Sequence, residues 1–224
     1  MDLRTVRIAV VGDSGVGKTS LVHFVCHGTV LVHPTWTIGC TTEVLLHQND
    51  TFVEFVDIGG NPRYELSRAA FYHELHGIIF VYDMSNIRSY NNLRKWITVT
   101  TVVLIANFLS RRRIDLMQLP TPTMYPTPIG ALPTLVIGNK QDAVHTQRMA
   151  PLRDLKMDSL EASAMEGRLD LPRFHLFLDR VIATAFTSTP RQSSHGIVRN
   201  RGPTSTASPH GTPTSASTKT SWWS

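Results

Sequence analysis

Gly12, Gly17, Lys18 and Thr19 stand in the spacing G-x-x-x-x-G-K-[ST] within "VVGDSGVGKTS", directly after an apolar run and directly before a helical pattern. Glycines in such a loop let backbone N–H groups curl around phosphate oxygens. A lysine neutralises the outer phosphates, and a threonine hydroxyl can ligate Mg²⁺. Gly12, Asp13, Ser14, Gly15, Val16, Gly17, Lys18, Thr19 and Ser20 are therefore the candidate phosphate cradle.

Three further groups carry chemistry of their own. In "GNKQD", Asn139, Lys140 and Asp142 follow an apolar strand. A carboxylate that accepts from two adjacent N–H groups selects guanine over adenine, which lacks that donor pair. Asp142 is the candidate specificity residue, Asn139 ties base and loop together, and the Lys140 stem covers one ring face. About twenty residues on, "LEASAM" places Ser163 and Ala164 after a strand, with the Ala164 amide available to a base carbonyl. Asp57-x-x-Gly60 ends another strand: Asp57 can hold Mg²⁺ through water and the Gly60 N–H can contact a terminal phosphate. Thr37 in "PTWTIGC" is a third metal candidate, which ligates only when that phosphate is present.

Positioning these groups requires strands that end where the motifs begin. Strand-like runs are Val6 to Val11, Thr41 to His47, Thr51 to Ile58, Gly77 to Tyr82 and Thr134 to Gly138, with a weaker one at Met157 to Glu161. The first, fourth and fifth are continuously apolar, as strands covered on both faces are. The polar turn "HQND" between the second and third predicts an antiparallel hairpin at one edge. Helix candidates are Lys18 to His27, Ser67 to Leu75, Asn91 to Leu109, a short one near Met149, and Pro172 to Ala185. In the last, Phe174, Phe177, Leu178, Val181, Ile182 and Ala185 recur with helical period. Strands alternating with helices predict an α/β doubly wound sheet with ligands at the carboxyl ends of its strands.

Composition bounds the rest. The chain of 224 residues suits one domain plus a tail: residues 1–186 form the domain, with an inserted Pro/Thr-rich loop at 110–133, and residues 187–224 form a disordered Ser/Thr/Pro-rich basic tail. The net charge of +5 is largely the tail's, because Arg191, Arg199, Arg201 and Lys219 follow Phe186 without one acidic residue. An almost neutral domain argues against a nucleic-acid partner, and "RRR" at Arg111 to Arg113 reads as a solvated face. Two cysteines, Cys26 and Cys40, point to a reducing, cytoplasmic compartment. The apolar stretch Ile97 to Leu109 is short of the ~20 residues a membrane span needs. With Asp2 in place of a myristoylated glycine and no cysteine after Cys40, no direct lipid anchor is expected. His23, His27, His33 and His47 have no metal-ligand spacing with nearby cysteines, and most of the histidines are expected at the surface.

The loop at Gly12, "WTIGC", D-x-x-G, "FVYDMSN", N-K-x-D and "ASA" occur together in the order and spacing of small GTPases. From about Val6 to Ala185 the chain resembles the Ras superfamily, Rab proteins in particular. "VHPTWTIGC" and "AAFYHELHGIIFVYDMSN" are similar to the Rab-like protein 3 group and the plant light-insensitive-period GTPases. The resemblance implies a P-loop NTPase small G domain with a mixed, mostly parallel six-stranded sheet and helices on both faces. It also implies GTP or GDP and Mg²⁺ as ligands, a magnesium-dependent guanine-nucleotide switch in trafficking or signalling, protein effectors, a GTPase-activating partner and a homodimer as candidate assembly. Carried over, Thr19, Thr37 and Asp57 are metal residues, while Lys18, Thr37, Gly60 and Asn61 are the catalytic set.

Departures from that pattern matter. Asn61, followed by Pro62, stands where typical members have the glutamine that orients the attacking water, so slow hydrolysis is expected. Val30 replaces an aromatic that lies edge-on to guanine, and Met165 replaces the lysine that follows "SA", so nucleotide release should be fast. A scaffold that holds GTP or GDP without hydrolysing it and works through partners is the alternative; an ATP-dependent P-loop kinase would not need N-K-x-D.

Overall fold

The computed structural model describes residues 4–48, 50–112, 132–144 and 157–187. Seven strands form one sheet in the order β2-β3-β1-β4-β5-β6-β7. They are β1 (Arg4–Val11), β2 (Cys40–His47), β3 (Thr51–Ile58), β4 (Gly77–Asp83), β5 (Thr134–Asn139), β6 (Asp158–Ser163) and β7 (Arg168–Leu169). The pairs β1–β3, β1–β4, β4–β5 and β5–β6 are parallel. At one edge β2 and β3 form the expected antiparallel hairpin, in register from Cys40 opposite Ile58 to His47 opposite Thr51.

Alternation along each central strand divides the core in two. Val6, Ile8 and Val10 of β1 point with Ile79, Val81, Leu135 and Ile137 toward α1 (Lys18–His27) and α3 (Leu171–Thr187). Ala9 and Val11 point with Ile78, Phe80 and Val136 toward Leu93, Trp96 and Leu104 of α2 (Ile87–Arg112). Because both faces are covered, β1, β4 and β5 must be apolar at nearly every position, which is why their runs are continuous. On α3 the periodic residues Phe174, Phe177, Leu178 and Val181 are all buried.

The sheet differs from expectation by one strand. The two-residue β7 pairs antiparallel with β6 through Ala162–Leu169 and Ser163–Arg168, after a turn in which Gly167 has φ +63°. Two residues carry no periodicity, so no pattern announces them. The helix expected over Ser67 to Leu75 is a 3₁₀ segment at Ser67–Phe71, preceded by another at Pro62–Tyr64. Helix α2 begins at Ile87, before the expected Asn91, where the Asn86 Oδ1 accepts from the Arg88 N–H at 3.0 Å. It runs on through Arg112, so Ser110 to Arg112 are helical and not the start of a loop. The remainder of the expected insertion, the short helix near Met149 and the tail lie outside the described residues. His47 is not at the surface: it is 3% exposed, its Nε2 is 2.7 Å from Asp179 Oδ1 on α3 and its ring stacks on His175. Among the described residues no helix is long and apolar enough to cross a membrane.

Phe177 is fully enclosed, with its ring centroid 6.3 Å from that of Phe174. Phe177→Ala leaves a cavity between α3 and the sheet and is expected to cost about 3–5 kcal/mol. A urea midpoint that does not fall would contradict this packing.

Candidate functional site

The phosphate-cradle candidates form the bend between β1 and α1. Gly12, Gly15 and Gly17 all have positive φ (+151°, +80° and +90°). At Gly12 a Cβ would lie 2.1 Å from the Val81 carbonyl oxygen, and at Gly17 one would lie 2.3 Å from Asn139 Nδ2, so only glycine fits these two positions. No side chain caps the N-terminus of α1, which leaves its first amides free for an oxyanion. Val16 and Ser20 are buried beneath the bend, while Ser14 and Gly15 are exposed at its crest.

Lys18 is 6% exposed, and its ammonium donates to the carbonyls of Gly12 (3.0 Å) and Asp13 (2.8 Å). Burial pushes its pKa down to about 8; the charges of Asp57 and Asp13 oppose that shift, and Arg68 adds to it. A buried cation held only by neutral carbonyls is poised to accept a negatively charged group.

Three metal candidates converge beside it. The Thr19 hydroxyl donates to Asp57 Oδ2 at 2.5 Å and lies 3.0 Å from the Thr37 hydroxyl, which is itself 3.3 Å from Asp57 Oδ2. Thr41 approaches the same oxygen at 3.5 Å. Asp57 is 1% exposed, and its second oxygen, Oδ1, is buried without a hydrogen-bond partner. An orphaned carboxylate oxygen among oxygen-only donors fits a hard divalent cation such as Mg²⁺.

The base-selecting candidates meet at the ends of β5 and β6. Asn139 is 1% exposed; its Nδ2 donates to the carbonyls of Val16 (3.0 Å) and Gly17 (3.4 Å), and its Oδ1 accepts from the Ala164 N–H (3.0 Å). One side chain thus joins the loop after β1 to the loop after β6. The Ala164 amide, expected to face a base carbonyl, is occupied here by Asn139. Lys140 has φ +62° and its ammonium donates to Asp83 Oδ2 at 2.7 Å. Burial raises the Asp83 carboxyl, but hydrogen bonds from Lys140 and Ser85 outweigh that and hold it below its usual value. The Asp142 Oδ1 accepts from the buried Ser163 hydroxyl at 2.5 Å, which orients the carboxylate. Val30 is half-buried and Met165 is 54% exposed.

The segment after β3 crosses the cradle. Gly59 donates to the Gly39 carbonyl at 2.8 Å, and a Cβ on Gly60 would lie 2.4 Å from the Gly12 oxygen and 2.5 Å from the Ser14 nitrogen. Gly60 therefore rests against the cradle, next to the Thr37 loop. The Asn61 side chain does something else: its Oδ1 accepts from the Arg63 N–H at 3.0 Å and caps the 3₁₀ turn Pro62–Tyr64. Asparagine is a strong cap, and Pro62 suits the first turn position, so this local use of Asn61 follows from the two residues together.

Sequence reasoning missed the residues that back this segment. Arg68 is 6% exposed, its guanidinium lies 4.6 Å from the Trp96 ring centre and it donates to the Asn61 carbonyl at 3.1 Å. Trp96 Nε1 and Asn92 Nδ2 each donate to the Asp13 carboxylate at 2.7 Å. Arg68, Trp96, Asp13 and Gly60 line a cleft of about 130 Å³. An arginine in a short 3₁₀ segment and a tryptophan on a distant helix carry no joint sequence signal; only the fold brings them together.

The depressed Lys18 pKa makes a pH prediction. Between about pH 8 and the ordinary lysine value of 10.5 the unfolded chain binds more protons than the folded one, so stability of the ligand-free protein rises with pH across that window. Lys18→Met should be more stable than the wild type at pH 7, by on the order of 3 kcal/mol, with the gap closing toward pH 10.5. A melting-temperature gap that does not change with pH would refute this.

A family model described as Ras family matches residues 7–168. Rab-like protein 3 of Homo sapiens is 37% identical over 158 residues, 64% of this chain and 64% of the relative. Small GTPase LIP1 of Arabidopsis thaliana is 38% identical over 155 residues, 61% of this chain and 41% of the relative. Rab-like protein 3 of Xenopus tropicalis is 41% identical over 106 residues, 42% and 45% of the two chains. The chain spans less than two thirds of the length of these relatives. The matched range runs from β1 to β7 and takes in the glycine cradle, the Asp57 cluster and the Asn139 bridge; the chain belongs to the Ras family and has its small G-domain fold.

Proposed function

We propose that this chain is a guanine-nucleotide switch that binds GTP or GDP with Mg²⁺, hydrolyses GTP slowly and acts in intracellular trafficking or signalling. The observation that carries the reading is Asn139, whose buried amide couples the phosphate cradle at Val16 and Gly17 to the base loop at Ala164. Membership of the Ras family and the relatives' names, Rab-like protein 3 and Small GTPase LIP1, support it.

In this reading the glycine cradle and the first amides of α1 hold the phosphates, and the Lys18 ammonium turns from the Gly12 and Asp13 carbonyls to neutralise them. Thr19, Asp57 and, when the terminal phosphate is present, Thr37 would hold Mg²⁺, which would neutralise charge at the transferring phosphoryl group. Asp142, oriented by Ser163, selects guanine, and Lys140, fixed by Asp83, covers the ring. Thr37 and Gly60 report the terminal phosphate. Exposed Val32, Trp36 and Ile38 beside Thr37, with Tyr64 and Leu66 after Asn61, form the surface that an effector or activating partner reads. The G domain occupies residues 1–186 and works in the cytoplasm, with residues 187–224 as a tail.

Asn61 favours slow hydrolysis, because its amide is engaged with Arg63 and its carbonyl with Arg68. The same observation supports the second reading, a scaffold that holds nucleotide and does not hydrolyse it. Single-turnover GTP hydrolysis by the wild type and Asn61→Gln separates the two. A longer amide caps the turn poorly and is free to orient water, so a rise of roughly tenfold or more is expected. If neither protein turns over while nucleotide remains bound, the scaffold reading holds.

Base selection has its own test. Asp142→Asn should lower GTP affinity by about a hundredfold and shift preference toward xanthosine triphosphate, since two charge-assisted bonds are lost. Unchanged discrimination between GTP and ATP would remove Asp142 from the site.

A further inference from the structure

We propose that His23 and His27 of α1, together with Glu43 of β2, form a binding site for a divalent transition-metal ion of the zinc class, separate from the Mg²⁺ site. Sequence spacing relative to the cysteines gives no hint of it, because the third ligand comes from a strand across the loop.

His23 and His27 are one helical turn apart, so their rings share a face, with centroids 4.5 Å apart. Along β2, Glu43 points to the same side as Leu45, which packs on the α1-facing core, and this directs the carboxylate at the two imidazoles. Three ligand atoms, one from each residue, lie within 4.8 Å of one another. His27 Nε2 is 2.9 Å and His23 Nδ1 is 3.9 Å from Glu43 Oε2. Two ligands ~2.1 Å from a tetrahedral zinc lie about 3.4 Å apart, between those two separations, so small side-chain rotations suffice.

Two further observations favour a cation at this place. The Glu43 Oε2 atom is buried and has no hydrogen-bond partner, even with His27 beside it. The far nitrogen of His23, Nε2, lies 3.3 Å from the Thr29 hydroxyl. In the tautomer in which His23 Nε2–H donates to that hydroxyl, Nδ1 is the free ligand atom, and a hydrogen bond on the far nitrogen is how metal-binding histidines are oriented. Imidazole and carboxylate together suit zinc, whereas the all-oxygen Asp57 cluster suits Mg²⁺. His27 is 52% exposed, which leaves an open position for water or for a ligand from outside.

The place in the fold gives the ion a structural consequence. Helix α1 ends at His27 and β2 begins at Cys40, and between them runs the loop that carries Thr37. An ion held by His23, His27 and Glu43 staples both anchors of that loop without touching it.

Titration of ZnCl₂ into the full chain in excess Mg²⁺, followed by calorimetry, tests the site, with Co²⁺ absorption as a second readout. One ion per chain is expected, with a visible Co²⁺ band and no thiolate charge-transfer band. His27→Gln, His23→Ala and Glu43→Gln should each weaken binding about tenfold or more, while Cys26→Ser leaves it unchanged. The exposed His27→Gln variant serves where a more buried substitution impairs folding, and melting curves in chelator confirm that each variant folds. No zinc binding by the wild type, binding retained in all three ligand variants, or binding lost with Cys26→Ser would each overturn the proposal.

Discussion

Burying the Lys18 ammonium beneath a loop of its own backbone is the constraint around which the rest of the site is arranged. An amine at this depth is costly to charge, and the protein supplies only two neutral carbonyls as direct partners. The loop can fold over it only because Gly12 and Gly17 adopt positive φ where a Cβ would strike Val81 or Asn139. Carboxylates at Asp13 and Asp57 temper the field, yet each is committed elsewhere: Asp13 to Asn92 and Trp96, Asp57 to Thr19, Thr37 and Thr41. What remains is a buried ammonium whose direct partners are two backbone carbonyls, so an incoming anion would find a cation that no carboxylate holds by a hydrogen bond.

A single buried amide ties the cradle to the loop after β6, and the segment after β3 packs against the cradle separately. Asn139 holds the cradle to the strand ends at Ala164, so displacement of one loop is felt by the other. Gly59 and Gly60 sit so near Thr37, Gly39 and Gly12 that no side chain could be interposed. Close backbone approach makes this segment sensitive to whatever occupies the cradle. Arg68, wedged between Trp96 and the Asn61 carbonyl, anchors its far end to α2.

Local chemistry explains how Asn61 is used. A glutamine at this position could not bond its own turn as readily, whereas asparagine followed by proline makes a capped 3₁₀ turn from short-range contacts alone. In this chain the short amide reaches no further than its own turn, and its oxygen is taken by the Arg63 N–H.

How much was legible in the sequence follows from the range of the interactions. The sequence by itself determined the glycine cradle, the ends of α1, the three apolar central strands, the edge hairpin and the amphipathic face of α3. Each rests on residues close in the chain, through φ preference, periodicity or turn chemistry, and each survives into the fold almost unchanged. Only the tertiary structure decided that Ala164 bonds Asn139, that Arg68 lies under the segment it braces, that β7 adds a seventh strand and that Glu43 faces His23 and His27. These depend on which strand lies beside which helix, and pairwise geometry between distant segments leaves no period in the sequence from which to read it.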